Sequence, residues 1–227
     1  MTVAAATLSV DADERFESCR PVRTVCAFKG QRNFEGLWWL ATTQSHVGFE
    51  SWVERDRLML LDFDREVVGV SSQPFWLRWW TDGKRRRHVP DFFARRADGS
   101  AVVIDVRPDD RIAPEDADAF AATARACARV GWEYCRLGAL DSVLAANLRW
   151  LAGYRHRRCL NRDCADRLLA AFGIPRSFSD GVAVVGDPIR VRPVAFHLLW
   201  TGDLSADLHG SLLTGDSMVT AAHAQVS

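Results

Sequence analysis

The chain has 227 residues, of which 48% are hydrophobic, and its formal net charge at pH 7 is zero. This length fits one large domain or a medium domain with a smaller one, and the apolar content excludes a largely disordered chain. No run of about eighteen apolar residues is present, which excludes a membrane-spanning helix. Because proteins that hold DNA are usually basic overall, any contact with DNA must depend on local positive charge or on a partner.

The six cysteines predict neither a disulfide scaffold nor a zinc site. Cys159 and Cys164 are the only close pair beyond the N-terminal region, and no second pair of Cys or His stands at a similar spacing. Residues 1–11 lack a basic leader and a long apolar stretch, so we expect no signal peptide. We therefore expect a cytoplasmic protein with reduced thiols.

The N-terminal region is expected to contain little regular structure before residue 49. Residues 1–45 show no sustained periodicity and predict an arm with one strand over residues 22–28. Apolar residues then recur from Trp52 to Leu61 at helical spacing and predict an amphipathic helix of about fourteen residues. Ser51 and Glu54 have the spacing of a capping box at its start.

A strand-rich segment follows this helix. Residues 67–70 begin a strand, which Gln73-Pro74 interrupts and residues 75–80 continue. Residues 81–84 predict a hairpin turn, and residues 85–93 predict the returning strand. The apolar run at residues 101–106 predicts a further strand that is central in its sheet.

The next elements alternate between helix and strand. Pro114 predicts the first turn of a helix that continues to about Arg129, and residues 132–137 predict another strand. Two helices over residues 141–154 and 162–172 follow.

The C-terminal part predicts a small separate domain. Residues 182–185 and 189–194 read as a β-hairpin that follows the two helices, and this order predicts a winged-helix-like domain. The last fifteen residues are expected to fray. The expected fold class is α/β, a mixed sheet flanked by helices with a small C-terminal winged-helix-like domain. The expected segments are an arm (1–45), an α/β domain (46–138), the C-terminal domain (139–215) and a tail (216–227).

Two aspartates within strand-forming segments indicate a metal site. Asp91 and Asp105 are fourteen residues apart, enough for one strand to end, turn near Gly99 and return beside the first. Two carboxylates at one place repel each other strongly unless a divalent metal lies between them. A charge at Asp105 costs several kcal/mol or more if it is buried unpaired, and a metal or an ion pair with Arg107 would offset that cost. With the backbone carbonyl of Val106, the two aspartates predict a Mg²⁺ or Mn²⁺ site.

The pattern leaves two possible roles for several neighbouring residues. Glu50 and Glu54 are one helical turn apart, and either is a candidate third acid, or Glu54 pairs with Arg55 or Arg57 on a solvated face. The tryptophans at residues 76, 79 and 80 are expected to pack against the sheet. A basic run is either a solvated hairpin tip or a DNA phosphate contact: Lys84, Arg85, Arg86 and Arg87.

These motifs resemble a known family. Pro90-Asp91 followed by the acid-x-basic strand at residues 105–107 is similar to the signature of the restriction-endonuclease-like superfamily. Together with residues 49–64 and Ser72-Gln73-Pro74, the pattern resembles the TnsA-like endonuclease subunits of heteromeric transposases over roughly residues 45–138. The resemblance implies catalytic roles for these matching positions: Glu54, Asp91, Asp105 and Arg107.

The resemblance also implies a function and partners. Such subunits cut donor DNA at the 5′ ends of the element, beside a DDE-type transposase subunit that cuts the 3′ ends. An ATPase regulator and end-binding proteins are expected partners, and neither a membrane nor a small-molecule substrate is expected. Arg107 stands where the family has lysine, and arginine effectively never loses its proton, so Arg107 cannot act as a general base. The alternatives are a catalytically impaired scaffold that binds DNA or partners, and a stand-alone restriction or repair nuclease.

Overall fold

The computed structural model describes residues 15–23, 34–81 and 83–222. They belong to two compact units, residues 1–139 and 140–227. Most of the strand expected over residues 22–28 lies outside the described residues. No helix within the described ranges is long and apolar enough to cross a bilayer.

After a 3-10 helical turn at Phe16–Ser18, the described residues of the first unit form a hairpin that the sequence did not predict. Strands β1 (Gly36–Leu40) and β2 (Ser45–Phe49) pair antiparallel, so the later part of the expected arm is regular structure. The hairpin is stabilised because Leu40 and Phe49 are buried in the main core, a tertiary contact that local periodicity does not reveal.

Helix α1 (Trp52–Phe63) confirms the first predicted helix, with 12 residues. It begins at Ser51, whose side-chain oxygen accepts the backbone N–H of Glu54 and so satisfies one donor of the first turn. Its apolar side, including the fully buried Leu58, packs on one face of the main sheet.

The main sheet is mixed, which confirms the α/β class. The last two strands are parallel and the other neighbours are antiparallel. Strand β7 is buried throughout and has a neighbour on each side, as the apolar run predicted. In spatial order the strands are β3 (Val67–Ser72), β6 (Phe92–Arg96), β7 (Ala101–Val106) and β8 (Glu133–Leu137).

A separate two-stranded ribbon lies between β3 and β6 in the sequence. Strands β4 (Leu77–Thr81) and β5 (Lys84–His88) pair with each other across the predicted hairpin turn. The single returning strand expected over residues 85–93 is wrong, because residues 89–91 divide it into β5 and β6. Pro90 has no backbone N–H to donate to a ladder, and the pairing stops there.

Helix α2 (Pro114–Arg129) covers the other face of the sheet, with the bounds the sequence predicted. Its Cys127 packs with Phe93, Val103 and Trp132 in a second core. The alternation of β7 therefore directs Ile104 toward α1, and Val103 and Asp105 toward the α2 side.

The described residues of the second unit form four α-helices, two 3-10 helical turns and three short strands. The strands form an antiparallel sheet in the order β10-β11-β9. The elements are α3 (Ser142–Leu151), α4 (Arg162–Ala171), β9 (Arg176–Ser177), α5 (Phe178–Val185), α6 (Pro188–Thr201), β10 (Leu204–Ala206) and β11 (Met218–Ala221).

The hairpin expected over residues 182–194 is wrong, since both of its strands lie in helices. Valines favour strands locally, but Asp187 caps α6 by accepting the N–H of Ile189, and Pro188 supplies a first helical residue. Frayed structure is also wrong for residues 218–221, because β11 pairs with both β9 and β10.

Candidate active site

The predicted acids line one cavity in the first unit. Glu54 comes from α1, Asp91 from the segment between β5 and β6, and Asp105 from β7. The cavity has a volume of about 340 Å³. Four basic side chains line the same cavity: Arg23, Arg87, His88 and Arg107.

Strand register explains how two of the acids meet. Phe92 pairs with Ile104, and continuing the antiparallel ladder by one residue sets Asp91 beside Asp105. The backbone N–H of Val106 donates to Asp91 Oδ2 at 2.7 Å, which ties Asp91 to the end of β7. The predicted proximity of the two segments is therefore present.

Asp91 has a strongly perturbed carboxyl group. Its pKa is well above the ordinary value, first because the group is buried and then because the charges of Glu54 and Asp105 repel a third negative charge. Among the described residues, no cation forms an ion pair with Asp91, and its second oxygen, Oδ1, accepts no hydrogen bond. When Asp91 is ionised, its negative charge is therefore not balanced by a cation among the described residues.

Asp105 is satisfied by partners that the sequence analysis did not identify. Its side chain is almost completely buried, His88 Nε2 donates to Oδ1 at 2.8 Å, and the Tyr134 hydroxyl donates to Oδ2 at 2.9 Å. Burial raises the pKa of Tyr134, and the charge of Asp105 raises it further, so the phenol keeps its proton.

Of the two alternatives for offsetting a buried charge at Asp105, a metal or an ion pair with Arg107, the ion pair is not formed. Arg107 Nη2 lies 3.3 Å from Asp116 Oδ1, and the Arg107 side chain is 46% exposed. The alternation of β7 puts Arg107 on the same side as Val103 and Asp105, and its side chain reaches Asp116 in the first turn of α2. Such an exposed pair is weak, so the guanidinium is available to another anion.

Glu54 is held in place by the start of its helix. Ser51 Oγ donates to Glu54 Oε1 at 2.8 Å, and the Glu50 N–H donates to Oε2 at 2.7 Å. Burial raises the pKa of Glu54. A pairing of Glu54 with the helix arginines is wrong, because Arg55 pairs with Asp56 and Arg57 donates to the backbone carbonyl oxygen atoms of residues 138 and 139.

The geometry favours Glu54 over Glu50 as the third acid. Glu50 forms an ion pair with Arg23 at 2.9 Å, whereas no ion pair to Glu54 occurs within the described ranges. Of the two glutamates, Glu54 has the larger effect in raising the pKa of Asp91. Glu54 is therefore the acid whose charge remains to be offset.

The residues fit a hard divalent cation in donor type and charge. Val106 directs its N–H toward Asp91, and its carbonyl points to the same side, since both groups of one strand residue face the same neighbour. Magnesium needs only one or two carboxylates because it keeps several waters. In the part of the chain that the structure describes, no three His, Cys, Asp or Glu side chains already form a ligand cluster. Asp91, Asp105 and the Val106 carbonyl are the candidate ligands.

The predicted basic run occupies β5, and all four of its cations are exposed. The Arg87 guanidinium lies over the Trp76 ring, 4.9 Å from its centroid, at the cavity. The expectation that all three nearby tryptophans pack against the sheet is wrong for Trp80, which is 72% exposed.

Gln73 forms hydrogen bonds with two of the acidic residues near the cavity, Asp91 and Glu50. It is buried and adopts a left-handed φ of 49°, which is uncommon for a residue other than glycine. Its backbone N–H donates to the Asp91 carbonyl at 2.9 Å, and its side-chain amide donates to Glu50. The Gln-Pro motif was the sequence signal for this residue, whereas His88 and Tyr134 carried none, since 17 and 29 residues separate them from Asp105.

No protein-family model matches this chain, and no curated protein matches it. The resemblance to TnsA-like endonucleases therefore rests on the sequence motifs alone. The cavity geometry is an independent observation about the same residues.

Proposed function

We propose that this protein is a metal-dependent DNA endonuclease. The observation that carries the proposal is the shared cavity, in which Glu54, Asp91 and Asp105 lie with three arginines. Carboxylates that repel one another suit a divalent cation, and arginines suit the phosphate that such a cation would act upon.

The residues have separable roles in this proposal. Asp91, Asp105 and the Val106 carbonyl would hold Mg²⁺ or Mn²⁺, and Glu54 would complete the shell or position a water. When bound, the metal supplies Lewis acidity and lowers the pKa of a coordinated water. Arg107 would leave Asp116 and offset negative charge on the phosphate, and as a permanent cation it takes no proton.

The order of the elements supports a restriction-endonuclease-like fold for the first unit. A helix with an acid (α1) precedes three antiparallel strands (β3, β6 and β7), a second helix (α2) and a parallel strand (β8). The two aspartates lie at the ends of the second and third of these strands, as the resemblance implies.

The second unit supports a winged-helix-like reading through different elements from those first expected. Helix α4, strand β9, helices α5 and α6, and the β10–β11 pair follow one another, with β9 adding to the same sheet. Helix α6 exposes Arg190 and Arg192 near its start, so it is the proposed DNA-contacting helix.

We assign the nuclease to a TnsA-like transposition system. Its net charge of zero suits a subunit that gains DNA affinity partly from a DDE-type transposase and from an ATPase-regulated assembly. Cleavage at the 5′ ends of the element is the activity that this assignment predicts.

Nicking of donor DNA tests the proposal. With Mg²⁺ or Mn²⁺ and a cognate transposase subunit, the purified protein should nick a plasmid that carries the ends of the transposable element. The Asp91→Asn substitution should abolish this nicking. Asp110→Asn is the matched control, because Asp110 is an exposed acid outside the cavity. Undiminished nicking by Asp91→Asn would falsify the assignment, and nicking without any partner would favour a stand-alone nuclease.

A scaffold without catalytic activity is the second candidate, and the Arg107–Asp116 contact favours it. A permanent cation turned toward α2 does not replace a lysine that can exchange protons. Arg107→Lys separates the two readings. If cleavage appears only in this variant, the natural chain is a scaffold, and equal cleavage by both forms supports an active nuclease.

A further inference from the structure

The ribbon of β4 and β5 is a strongly basic element in a chain without net charge. Its strands carry five cationic side chains, Arg78, Lys84, Arg85, Arg86 and Arg87, and no acid. Within the described residues the two strands pair only with each other and not with the main sheet. Because alternate side chains of a strand point to opposite sides, the ribbon has two distinct faces.

The strand register assigns the side chains to these faces. Arg78 pairs with Arg87 and Trp80 pairs with Arg85, so these four residues share one side, here named the outer face. The opposite side carries Leu77 and His88 at its base, and Leu77 is buried while His88 reaches Asp105. At the base of the ribbon the outer face is thus the side turned away from the buried core, whereas toward the tip Lys84 and Arg86 of the opposite face are exposed as well.

The outer face combines charge with a large exposed aromatic ring. All three of its arginines are exposed, and Trp80 is 72% exposed. At the base of the same face, Arg87 lines the acid cavity and covers Trp76. Exposed arginines of this face therefore extend along the ribbon to the candidate active site, which Arg87 lines.

We infer that the outer face of the ribbon binds the major groove of duplex DNA, beside the scissile phosphate that the proposed function assigns to the cavity. The major groove is about 12 Å wide and admits a two-stranded ribbon, and a five-residue strand is about 17 Å long. Arg78 and Arg85 contact phosphates or base edges on either side of Trp80, which makes apolar contact within the groove. This inference takes DNA as the ligand from the proposed function, but it does not require that the protein cleave DNA.

Binding of a labelled duplex in EDTA, followed by fluorescence anisotropy, tests the inference without any cleavage. Arg78→Gln/Arg85→Gln should weaken binding by about tenfold or more and reduce the slope of log affinity against log salt by about 2, because each lost phosphate contact accounts for about 0.9. Trp80→Ala should weaken binding several-fold and leave the slope unchanged, since the indole carries no charge.

Lys84→Gln/Arg86→Gln is the matched control, with the same change in charge on the opposite face. It should lose far less affinity than the outer-face variant, and circular dichroism checks that each variant is folded. Equal losses from the two faces would overturn the inference. Unchanged DNA binding by the outer-face variant would also overturn it and leave the ribbon to an acidic protein surface.

The outcomes also separate this inference from the nuclease proposal. If the natural chain binds duplex DNA through the outer face but never nicks it, the ribbon assignment stands and the nuclease fails. If it nicks DNA while outer-face variants bind and nick normally, the nuclease stands and the ribbon assignment fails.

Discussion

Asp91 is the residue at which burial, charge and metal binding are most directly linked. Its pKa in the folded protein lies well above the ordinary value of 3.8, so above pH 3.8 the metal-free native state holds more protons than the unfolded chain. The contribution of Asp91 to the free energy of unfolding therefore falls as pH rises from 3.8 through the raised pKa. Asp91→Asn should remove this loss, so that the variant becomes more stable than the natural protein as pH increases.

Chemical denaturation across the pH range, without divalent metal, measures this difference. Adding Mg²⁺ at high pH should stabilise the natural protein, because the ionised site binds the cation only when folded, and should have little effect on Asp91→Asn. A pH-independent stability difference between the two proteins would contradict the account of Asp91.

Tyr134 is the second informative single residue, because its hydroxyl is bonded to the buried Asp105. Tyr134→Phe leaves one carboxylate oxygen without a donor and should lower the free energy of unfolding by about 1–3 kcal/mol. Tyr154→Phe removes a hydroxyl that forms no hydrogen bond among the described residues, and should have a much smaller effect. Urea unfolding of both variants makes the comparison, and equal losses would show that the Tyr134 bond is not stabilising.

At the scale of elements, a close contact between two helices is the most testable feature. An added Cβ at Gly181 of α5 would lie 2.1 Å from Phe172 Cζ at the end of α4. Gly181→Ala should therefore force these elements apart and cost about 1–3 kcal/mol of stability. Gly153→Ala is the control in the same unit, because nothing lies within 4 Å of its added Cβ. Similar melting temperatures for both variants would refute the tight α4–α5 contact.

Elements with strong local signals were predictable from the sequence. Helix α2 begins at a proline and strand β7 is a continuous apolar run, and each was placed with its observed bounds. The valine-rich segments of α5 and α6 were misread because their strand propensity is overridden by capping at Asp187 and by burial of Val182 and Val191. Pro90 marks the break between β5 and β6 in the sequence, although the apolar pattern around it predicts one continuous strand.

The candidate site divides in the same way. Acids that stand in short motifs, such as Asp91 and Asp105, were found because the motif itself is local. Their hydrogen-bond partners His88 and Tyr134 come from other strands and depend on sheet register, which the sequence does not encode in any nearby pattern.

At the scale of the whole molecule, zero net charge conceals separate basic surfaces. The outer face of the ribbon belongs to the first unit, and exposed Arg190 and Arg192 belong to helix α6 of the second. If both contact one duplex independently, the free-energy losses of Arg78→Gln/Arg85→Gln and Arg190→Gln/Arg192→Gln should add in the combined variant. Anisotropy titrations at one salt concentration test this sum. A combined variant no weaker than the worse pair would exclude independent contacts.

His88 joins two parts of the first unit, because it ends the ribbon and also holds a carboxylate oxygen of Asp105. Residues inserted or removed at this base would move that imidazole off the acid, whereas Gly83 at the opposite tip has open space around it. The ribbon can thus be lengthened or shortened without disturbing the acids only at its tip, near Gly83. Any natural or engineered variation in ribbon reach is confined to that turn.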